Sequence, residues 1–297
     1  MKFLLFGRDG QVGRALQPAL APLGEVVALG HAEADLSQPE SLGPLIARHR
    51  PDVIVNAAAY TAVDAAEDDR DRAWAINAGA VGVIGQAART IGALVVHYST
   101  DYVFDGTAPD PQSEEQPTSP LGVYGASKLA GEVLLRESGA DHLIFRTSWV
   151  YAPQGKNFPL TILRLAHERE TLTVVTDQVG APTPAGLIAR VTVEAIAAAK
   201  ADRNKLRLYH LAPIGETSWH HLAQYLVADA IAEGARLKLT PENIIPILAR
   251  DYPTKAARPA NSRLDTMKLR TAFGITLPPW QEGIRQLIRT LRDEGRL

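Results

Sequence analysis

Tyr124 and Lys128 stand four residues apart in a segment with a helical pattern, so both side chains lie on one face of the predicted helix. A free phenol has a pKa of about 10 and is a poor acid at neutral pH. A nearby ammonium group favours the phenolate and lowers the tyrosine pKa, so the pair could protonate an oxyanion formed when hydride adds to a ketone. The same spacing is also common by chance in surface helices.

Two hydroxyl side chains follow an apolar run earlier in the chain. The run Val95–Tyr98 is typical of a buried strand, and Ser99 and Thr100 come directly after it. The carboxyl end of a strand in a doubly wound sheet opens onto the ligand crevice, so these hydroxyls could bond to a substrate carbonyl and assist Tyr124. His97, inside the run, is expected to fill the core.

Three glycines at a spacing of three residues, Gly7, Gly10 and Gly13, separate the apolar run Lys2–Phe6 from a helical segment that begins near Gln11. Glycine permits a tight turn and a close backbone approach, and the free N–H groups of a helix start can face a pyrophosphate. This context predicts a dinucleotide-binding loop. An ordinary glycine-rich turn is the alternative.

The segment after the second predicted strand bears on the choice of cofactor. An acidic residue there would bind the ribose 2′-hydroxyl of NAD, but the strand runs into Leu29, Gly30 and His31. Without a carboxylate, the 2′-phosphate of NADPH would meet no repulsion, and Arg8 or His31 could approach it. We therefore expect NADPH, with NADH as the alternative.

A second feature of this segment is the pair Asp35 and Leu36. A carboxylate at this place could accept a hydrogen bond from the adenine amino group. The alternative is a helix N-terminus in which Ser37 is the better candidate for the cap.

These residues require a scaffold that brings strand ends and helix starts together. The first half of the sequence alternates apolar, β-rich runs with helical segments, which predicts an α/β fold with a doubly wound parallel sheet, the Rossmann fold. The predicted strands are Lys2–Phe6, Glu25–Leu29, Asp52–Ala57, Leu94–Ser99 and His142–Thr147. The predicted helices of this half lie near 11–22, 39–49, 64–91 and 124–138.

The second half is less regular and is punctuated by proline. Its predicted helices lie near 158–169, 183–201, 218–235 and 280–293, and its predicted strands are Leu172–Val175 and Leu208–Leu211. We expect a dinucleotide-binding domain over 1–150 and a smaller, discontinuous α/β substrate-binding cap domain over 151–297. We also expect the chain to return to the first domain around 185–212.

Composition excludes several classes of protein. The chain has no cysteine, which excludes disulfides, a thiol nucleophile and thiolate metal sites. Its 31 Lys and Arg residues against 33 Asp and Glu residues give a net charge of −2, which argues against nucleic acid or a membrane surface as a partner. The sequence has no apolar stretch long enough to span a bilayer, and we expect a cytoplasmic protein.

Taken together, these motifs resemble those of the extended short-chain dehydrogenase/reductases and, within them, the dTDP-4-dehydrorhamnose reductase family. The resemblance runs nearly end to end. In the first half it is carried by 4–13, Pro51–Asp64, Ser99–Gly106, Ser119–Gly125, Lys128–Glu132 and Arg146–Tyr151. In the second half it is carried by Asp177–Thr183 and Arg258–Leu264.

The resemblance implies a reaction and a set of site residues. It implies NAD(P)H-dependent reduction of the C4 ketone of dTDP-4-dehydro-β-L-rhamnose to dTDP-L-rhamnose, the last step of dTDP-rhamnose synthesis. The implied catalytic residues are Thr100, Tyr124 and Lys128. The implied cofactor-binding residues are Gly7, Gly10, Gln11, Val12, Gly13, Asp35, Leu36, Ala57, Ala58, Ala59, Tyr60, Thr61, Ser99, Tyr124 and Lys128. The implied substrate-binding residues are Thr100, Asp101, Tyr102, Trp149, Asn157, Gln178, Arg258 and Asn261.

The resemblance also leaves open questions. Some members of the family place glutamates near the first helix and in the cap to hold Mg²⁺ between subunits, but Ala15 and Gly186 stand at those places here. We therefore expect no metal and either a monomer or a weak homodimer. The alternatives for function are another nucleotide-sugar reductase or epimerase of the superfamily, or a non-catalytic regulatory subunit with the same fold.

Overall fold

The computed structural model describes residues 1–297 and is built around a six-stranded sheet. In order along the chain the strands are β1 Lys2–Phe6, β2 Glu25–Leu29, β3 Val53–Asn56, β4 Leu94–Thr100, β5 His142–Thr147, β6 Val150–Tyr151, β7 Leu172–Val175, β8 Val179–Gly180, β9 Thr183–Pro184, β10 Leu208–His210, β11 Thr217–Ser218 and β12 Ile244–Ile247. The large sheet has the order β10-β5-β4-β3-β1-β2, and all of its pairs are parallel. The predicted α/β class with a doubly wound parallel sheet is confirmed.

Eleven α-helices connect the strands. They are α1 Gln11–Leu20, α2 Leu42–His49, α3 Val63–Ala66, α4 Arg70–Trp74, α5 Ala80–Ile91, α6 Val123–Glu137, α7 Phe158–Glu168, α8 Ala185–Ala201, α9 Trp219–Ala232, α10 Met267–Phe273 and α11 Trp280–Asp293. None of these helices is both long enough and apolar enough to cross a membrane.

The central strands form because they are apolar on both faces. The side chains of Phe3–Phe6 are fully buried in β1, and β4 is buried along its whole length. Such two-sided burial is typical of a parallel sheet covered by helices, and it explains why period-two alternation is missing from these runs. The register pairs Thr100 at the end of β4 with Thr147 at the end of β5, so the polar strand ends lie at one edge of the sheet.

The single helix predicted near 64–91 is wrong in detail. α3 ends at Ala66, directly before the acidic segment 67–69, whose residues include two aspartates with poor helix propensity. α4 then leads into α5 through a turn of π-helix, Ala75–Gly79. The extra residue of the π turn displaces Asn77 inward, where it is almost fully buried.

The sequence prediction misses the two-residue strands β6, β8, β9 and β11, and it also misses β12 and α10. β12 pairs in parallel with β7 although it contains Pro246, which is tolerated because the two strands form an isolated pair with free edges. α10 has only seven residues and ends at Gly274 in the left-handed conformation (φ 65°). Both elements are too short to show a periodic pattern.

Separate hydrophobic cores lie along the chain. One core on the face of the sheet combines β1 and β4 residues with Leu187–Ala199 of α8, and α8 packs against α1. Another core lies apart from the sheet and joins residues from Tyr151 to Leu291. A domain boundary near residue 150, with a return over 185–212, stays a prediction that this packing supports.

Candidate active site

The glycine loop after β1 prepares the start of α1 for an anion. Gly7 has a left-handed φ of 82°, and a Cβ on Gly13 would lie 2.0 Å from the carbonyl oxygen of Gly7. The N-cap residue Gly10 has no side chain to cap the helix, and the N–H groups of Gln11 and Val12 find no acceptor in the chain. These donors and the positive end of the helix dipole face the same space.

The end of β2 differs from the sequence prediction. A carboxylate does stand there, because Glu33 folds back and accepts a hydrogen bond from the N–H of Gly30 at 3.1 Å. Its other oxygen forms an ion pair with Arg8 at 2.8 Å. His31 is exposed and lies 3.5 Å from Asp35. Arg8 and Glu33 therefore meet at the end of β2, the position at which an acidic residue binds the adenosine ribose in dinucleotide-binding folds. Glu33 escaped prediction because a turn separates it from the strand.

Asp35 and Leu36 line the same space without capping a helix. The Asp35 carboxylate accepts hydrogen bonds from the backbone N–H and the hydroxyl of Ser37, and these bonds lower the pKa of Asp35. Leu36 is buried beneath it. The alternative in which Ser37 caps the following helix is wrong, because the helical residues begin only at Pro39.

Tyr124 lies in the first turn of α6, beside the end of β4. Thr100 donates its hydroxyl proton to Asp101 at 2.9 Å and accepts from the backbone N–H of Tyr102 at 3.1 Å. Burial raises the pKa of Tyr124 to about 12, and the nearby Thr100 hydroxyl offsets this only in part. Burial also raises the pKa of Asp101 to about 6.

Lys128 is buried one turn further along α6. Its ammonium nitrogen donates to the carbonyl oxygen of Tyr98 at 2.6 Å and lies 3.3 Å from Nε2 of His97. Burial lowers the pKa of Lys128 to about 8. The expectation that Lys128 lowers the pKa of Tyr124 stays a prediction; in this structure burial dominates and raises that pKa.

The residues after β3 form one wall of the site. Asn77, in the π turn, holds this wall: its amide accepts from the N–H of Tyr60 at 2.9 Å and donates to the Tyr60 carbonyl at 3.1 Å. The same amide donates to the hydroxyl of Ser127 in α6 at 3.1 Å. The irregular helix thus ties the end of β3 to the helix that carries Tyr124 and Lys128.

A cavity of about 930 Å³, here the central cavity, brings most of the predicted site residues together. The predicted residues that line it are Gly7, Gly10, Gln11, Val12, Asp35, Leu36, Ala57, Ala58, Ala59, Tyr60, Thr61, Ser99, Thr100, Asp101, Tyr102, Tyr124, Lys128 and Trp149. Gly13 does not line the cavity, because its role is the close packing of α1 on the loop.

A second cavity of about 670 Å³, here the aromatic cavity, adjoins the first and shares Tyr102 and Trp149 with it. Trp149 has a left-handed φ of 50°, a strained conformation for a bulky residue. Its ring stacks on that of Trp219 with centroids 3.5 Å apart. Of the other predicted substrate residues, Gln178 and Arg258 line this cavity.

Three of the side chains predicted to bind the substrate form hydrogen bonds within the chain. Asn157 caps α7 and donates to the side chain of Gln11 at 2.8 Å. Asn261 donates to the carbonyl oxygens of Ala108 and Asp110, both at 2.7 Å. Neither asparagine lines the central cavity or the aromatic cavity, and their role as diphosphate donors stays a prediction. Arg258 lines the aromatic cavity, but its guanidinium is bound to the carboxylate of Asp64.

Other residues of the aromatic cavity were absent from the sequence prediction. Trp219 begins α9, Phe158 begins α7, and Arg250 lies in the loop after β12. These residues are far apart in sequence and have no motif in common, so only their aromatic or cationic character could have marked them. The chain gathers no group of three or more His, Asp and Glu side chains suited to a metal ion.

Comparison with known proteins shows similarity to one family along nearly the whole chain. A family model described as RmlD substrate binding domain matches residues 1–293. The chain is 49% identical over 298 residues to the dTDP-4-dehydrorhamnose reductase of Burkholderia thailandensis, covering 99% of this chain and 100% of that protein. It is 50% identical over 295 residues to the dTDP-4-dehydrorhamnose reductase of Shigella flexneri, with 98% of each chain covered.

Solved structures of dTDP-4-dehydrorhamnose reductases also superpose on nearly the whole chain. A dTDP-4-dehydrorhamnose reductase from Bacillus anthracis, crystallised in complex with NADP, superposes with a TM-score of 0.87 at 32% identity over 97% of this chain and 99% of that chain. An orthologue from Clostridium acetobutylicum gives a TM-score of 0.90 at 33% identity over 98% of this chain and 100% of that chain. The chain therefore belongs to the dTDP-4-dehydrorhamnose reductase family.

Proposed function

We propose that this chain reduces the C4 ketone of dTDP-4-dehydro-β-L-rhamnose to dTDP-L-rhamnose, with NADPH as the preferred reductant and NADH as the alternative. One observation carries the proposal. Thr100, Tyr124 and Lys128 lie in a cavity that reaches the glycine loop and shares Tyr102 and Trp149 with the aromatic cavity. The names of the curated relatives support the same reaction.

The central cavity suits a dinucleotide. Gly7 and Gly13 allow a backbone approach that any side chain would block, and the uncapped start of α1 offers its N–H groups to a pyrophosphate. Asp35 would receive the adenine, and Ala57–Thr61 would lie along the nicotinamide half. The bound cofactor supplies the hydride. The Bacillus anthracis relative crystallised with NADP supports NADPH, and the carboxylate of Glu33 supports a role for NADH.

The side chains around the reacting carbonyl divide the proton chemistry. Tyr124 has a pKa of about 12, so it is protonated at working pH and can donate its proton to the nascent C4 oxygen. Thr100 would turn its hydroxyl proton from Asp101 to the same oxygen and orient the carbonyl. Lys128, one helical turn from Tyr124, would bind the nicotinamide ribose.

The aromatic cavity fits the nucleotide end of the substrate. The stacked rings of Trp149 and Trp219 present an apolar face for a thymine or sugar ring. Arg250 and Gln178 line the cavity with donors suited to a diphosphate. Arg258 would add a further donor, on the condition that it shares or exchanges its contact with Asp64.

Assembly is part of the proposal. We infer a monomer or weak homodimer without bound metal, because Ala15 and Gly186 offer no ligand at the places where some family members hold Mg²⁺. Sedimentation of the purified chain with and without Mg²⁺ measures this directly. A stable dimer that forms only with Mg²⁺ would contradict it.

The reaction is tested by cofactor oxidation with dTDP-4-dehydro-6-deoxy-L-mannose, run in parallel with NADPH and NADH. Net oxidation, with dTDP-L-rhamnose as the product by NMR, supports the proposal. Conversion of the sugar without net oxidation indicates an epimerase, since an epimerase regenerates its cofactor. Binding of substrate and cofactor without conversion indicates a regulatory subunit.

A further inference from the structure

A chain of hydrogen bonds runs beneath the central cavity from the end of β3 to Lys128. The backbone N–H of Ala58 donates to the Asn56 carbonyl oxygen Oδ1 at 3.2 Å. Nδ2 of Asn56 lies 3.2 Å from Nδ1 of His97, and Nε2 of His97 lies 3.3 Å from Nζ of Lys128. Nζ also donates to the Tyr98 carbonyl. The three side chains are almost fully buried.

The direction of these bonds is fixed from one end. A backbone N–H can only donate, so Oδ1 of Asn56 faces Ala58 and the amide nitrogen must donate to Nδ1 of His97. A neutral imidazole that accepts at Nδ1 carries its proton on Nε2, which therefore points at Lys128. An N–H facing Nζ needs a lone pair there, and only the uncharged amine of lysine has one.

The opposite direction is unfavourable. A charged Lys128 would donate to Nε2 of His97, and Nδ1–H would then require the Asn56 oxygen. Turning the amide round would set its NH₂ group against the N–H of Ala58, so that two donors would face each other. In the first direction each contact of the chain of bonds pairs a donor with an acceptor.

We propose that Asn56 and His97 are positioning residues whose hydrogen-bond polarity stabilises the uncharged amine of Lys128, so that Lys128 gains and loses a proton within the working pH range. In the uncharged form one N–H of Lys128 is committed to Tyr98 and the other remains for the cavity. The consequence for catalysis rests on the proposed function, whereas the direction of the hydrogen bonds from Asn56 through His97 to Lys128 does not.

The charges around Lys128 are consistent with a stabilised uncharged amine. On its own helix it faces Tyr124 and Glu132, and Glu132 is neutralised by a bidentate ion pair with Arg146 of β5. On β4 it faces His97, whose pKa is held well below its usual value by burial and by Lys128. Burial lowers the pKa of Lys128 to about 8, with Glu132 opposing the shift. No unpaired carboxylate holds the ammonium form.

The first test is the tautomer of His97 in the full-length wild-type chain, read by long-range ¹H–¹⁵N NMR of ¹⁵N-histidine-labelled protein. The chain has eight histidines, and His97→Gln identifies the resonance. We expect neutral imidazole with its proton on Nε2 at pH 8. A proton on Nδ1, or an imidazolium, would overturn the proposal, and this result does not depend on any activity.

The second test reverses the direction of the hydrogen bonds between residue 56, His97 and Lys128. Asn56→Asp still accepts from Ala58 but can only accept from His97, so it should move the His97 proton to Nδ1 and turn Nε2 into an acceptor for a charged Lys128. The alkaline limb of the pH profile of kcat/KM should rise by about one pH unit. An unchanged tautomer and an unchanged limb would together contradict the proposal.

A matched control separates the effect of the reversed hydrogen bonds from the effect of an added negative charge. Asn77→Asp places a new carboxylate on the same side of the sheet, in contact with Tyr60 and Ser127 but not with His97. We expect the His97 tautomer to stay on Nε2 in this variant. A shift of the tautomer here would show that any nearby charge suffices. If the wild-type tautomer is as expected but no substrate is reduced, the proposed function fails and the polarity stands.

Discussion

The proposed catalytic centre and the aromatic cavity are built in different ways. Thr100, Tyr124 and Lys128 come from one strand end and one helix start, within a short stretch of chain, and the polar atoms of Thr100 and Lys128 are buried and hydrogen-bonded. Trp149 lies in the turn between β5 and β6, Trp219 lies at the distant start of α9, and both line a cavity where Arg250 is exposed. The first region holds a few atoms in fixed geometry, which chemistry requires. The second offers shape and stacking, which binding requires.

This difference predicts that changes in the centre act on turnover. Thr100→Val keeps the shape but removes the hydroxyl that bonds to Asp101 and to the N–H of Tyr102. We expect kcat to fall about 10²- to 10³-fold with little change in KM, measured by steady-state kinetics. Thr192→Val is the control, because it removes a buried hydroxyl that bonds only to Tyr98. A similar loss in both variants would mean that buried hydroxyls matter only for the fold.

The centre also carries a cost in stability that the aromatic cavity lacks. Burial raises the pKa of Asp101 from 3.8 to about 6, so between these values the folded chain holds a proton that the unfolded chain releases. Stability conferred by this proton is therefore lost as pH rises through the window. Relative to Asp101→Asn, the wild-type free energy of unfolding should fall by about 2 to 3 kcal/mol from pH 4 to pH 6 in urea titrations.

The control for this pH effect is Asp105, a less buried carboxylate whose pKa is lowered rather than raised. Hydrogen bonds from Thr107 lower the pKa of Asp105, so its contribution is present at neutral pH and is lost as pH falls through the lowered pKa. Asp105→Asn should give a small difference of the opposite sign. If both variants show the same slope, the burial of Asp101 does not cause the effect.

Changes in the aromatic cavity should act on binding. Trp219→Leu removes the ring that stacks on Trp149. We expect KM for the nucleotide sugar to rise about tenfold with kcat nearly unchanged, because a stacked aromatic contributes roughly 1 kcal/mol beyond its buried area. Trp74→Leu, an exposed tryptophan on α4, is the matched control and should change neither constant. A fall in kcat without a rise in KM would place Trp219 in the catalytic centre instead.

The smallest effect is expected where the cofactor's adenosine ribose would lie. Glu33→Gln removes the carboxylate that pairs with Arg8. Arg8 is then free for a 2′-phosphate, so the ratio of kcat/KM for NADPH to that for NADH should rise about threefold to tenfold. Glu25→Gln, on β2 but paired with Lys2, is the control. A shift toward NADH would contradict the role assigned to Arg8.

The same contrast explains what could be predicted from the sequence. β1, β2, β5 and β7 were predicted with the observed bounds, because buried apolar runs between turns are a strong local signal. The pair Tyr124 and Lys128 and the glycine loop could each be proposed from one short motif, and Thr100 could be proposed because it directly follows an apolar run. Local patterns determine these features.

Features that depend on tertiary contacts escaped prediction. Glu33 reaches the end of β2 through a turn, and Trp219 reaches Trp149 across the second core. Asn157 and Asn261 looked like ligand donors, but their amides satisfy a helix start and loop carbonyls. Whether a polar side chain is free or already bonded depends on its neighbours in space, which a single sequence does not show.

The measurement that tests the central claim most directly is the turnover of Tyr124→Phe beside its affinity for NADPH. The ring and its edge contact with Tyr102 are retained, and only the phenolic hydroxyl is lost. We predict that kcat falls about 10²- to 10⁴-fold, while the Kd for NADPH, from fluorescence titration, stays within about twofold of wild type. Near-normal turnover in this variant would contradict the assignment of Tyr124 as the proton donor.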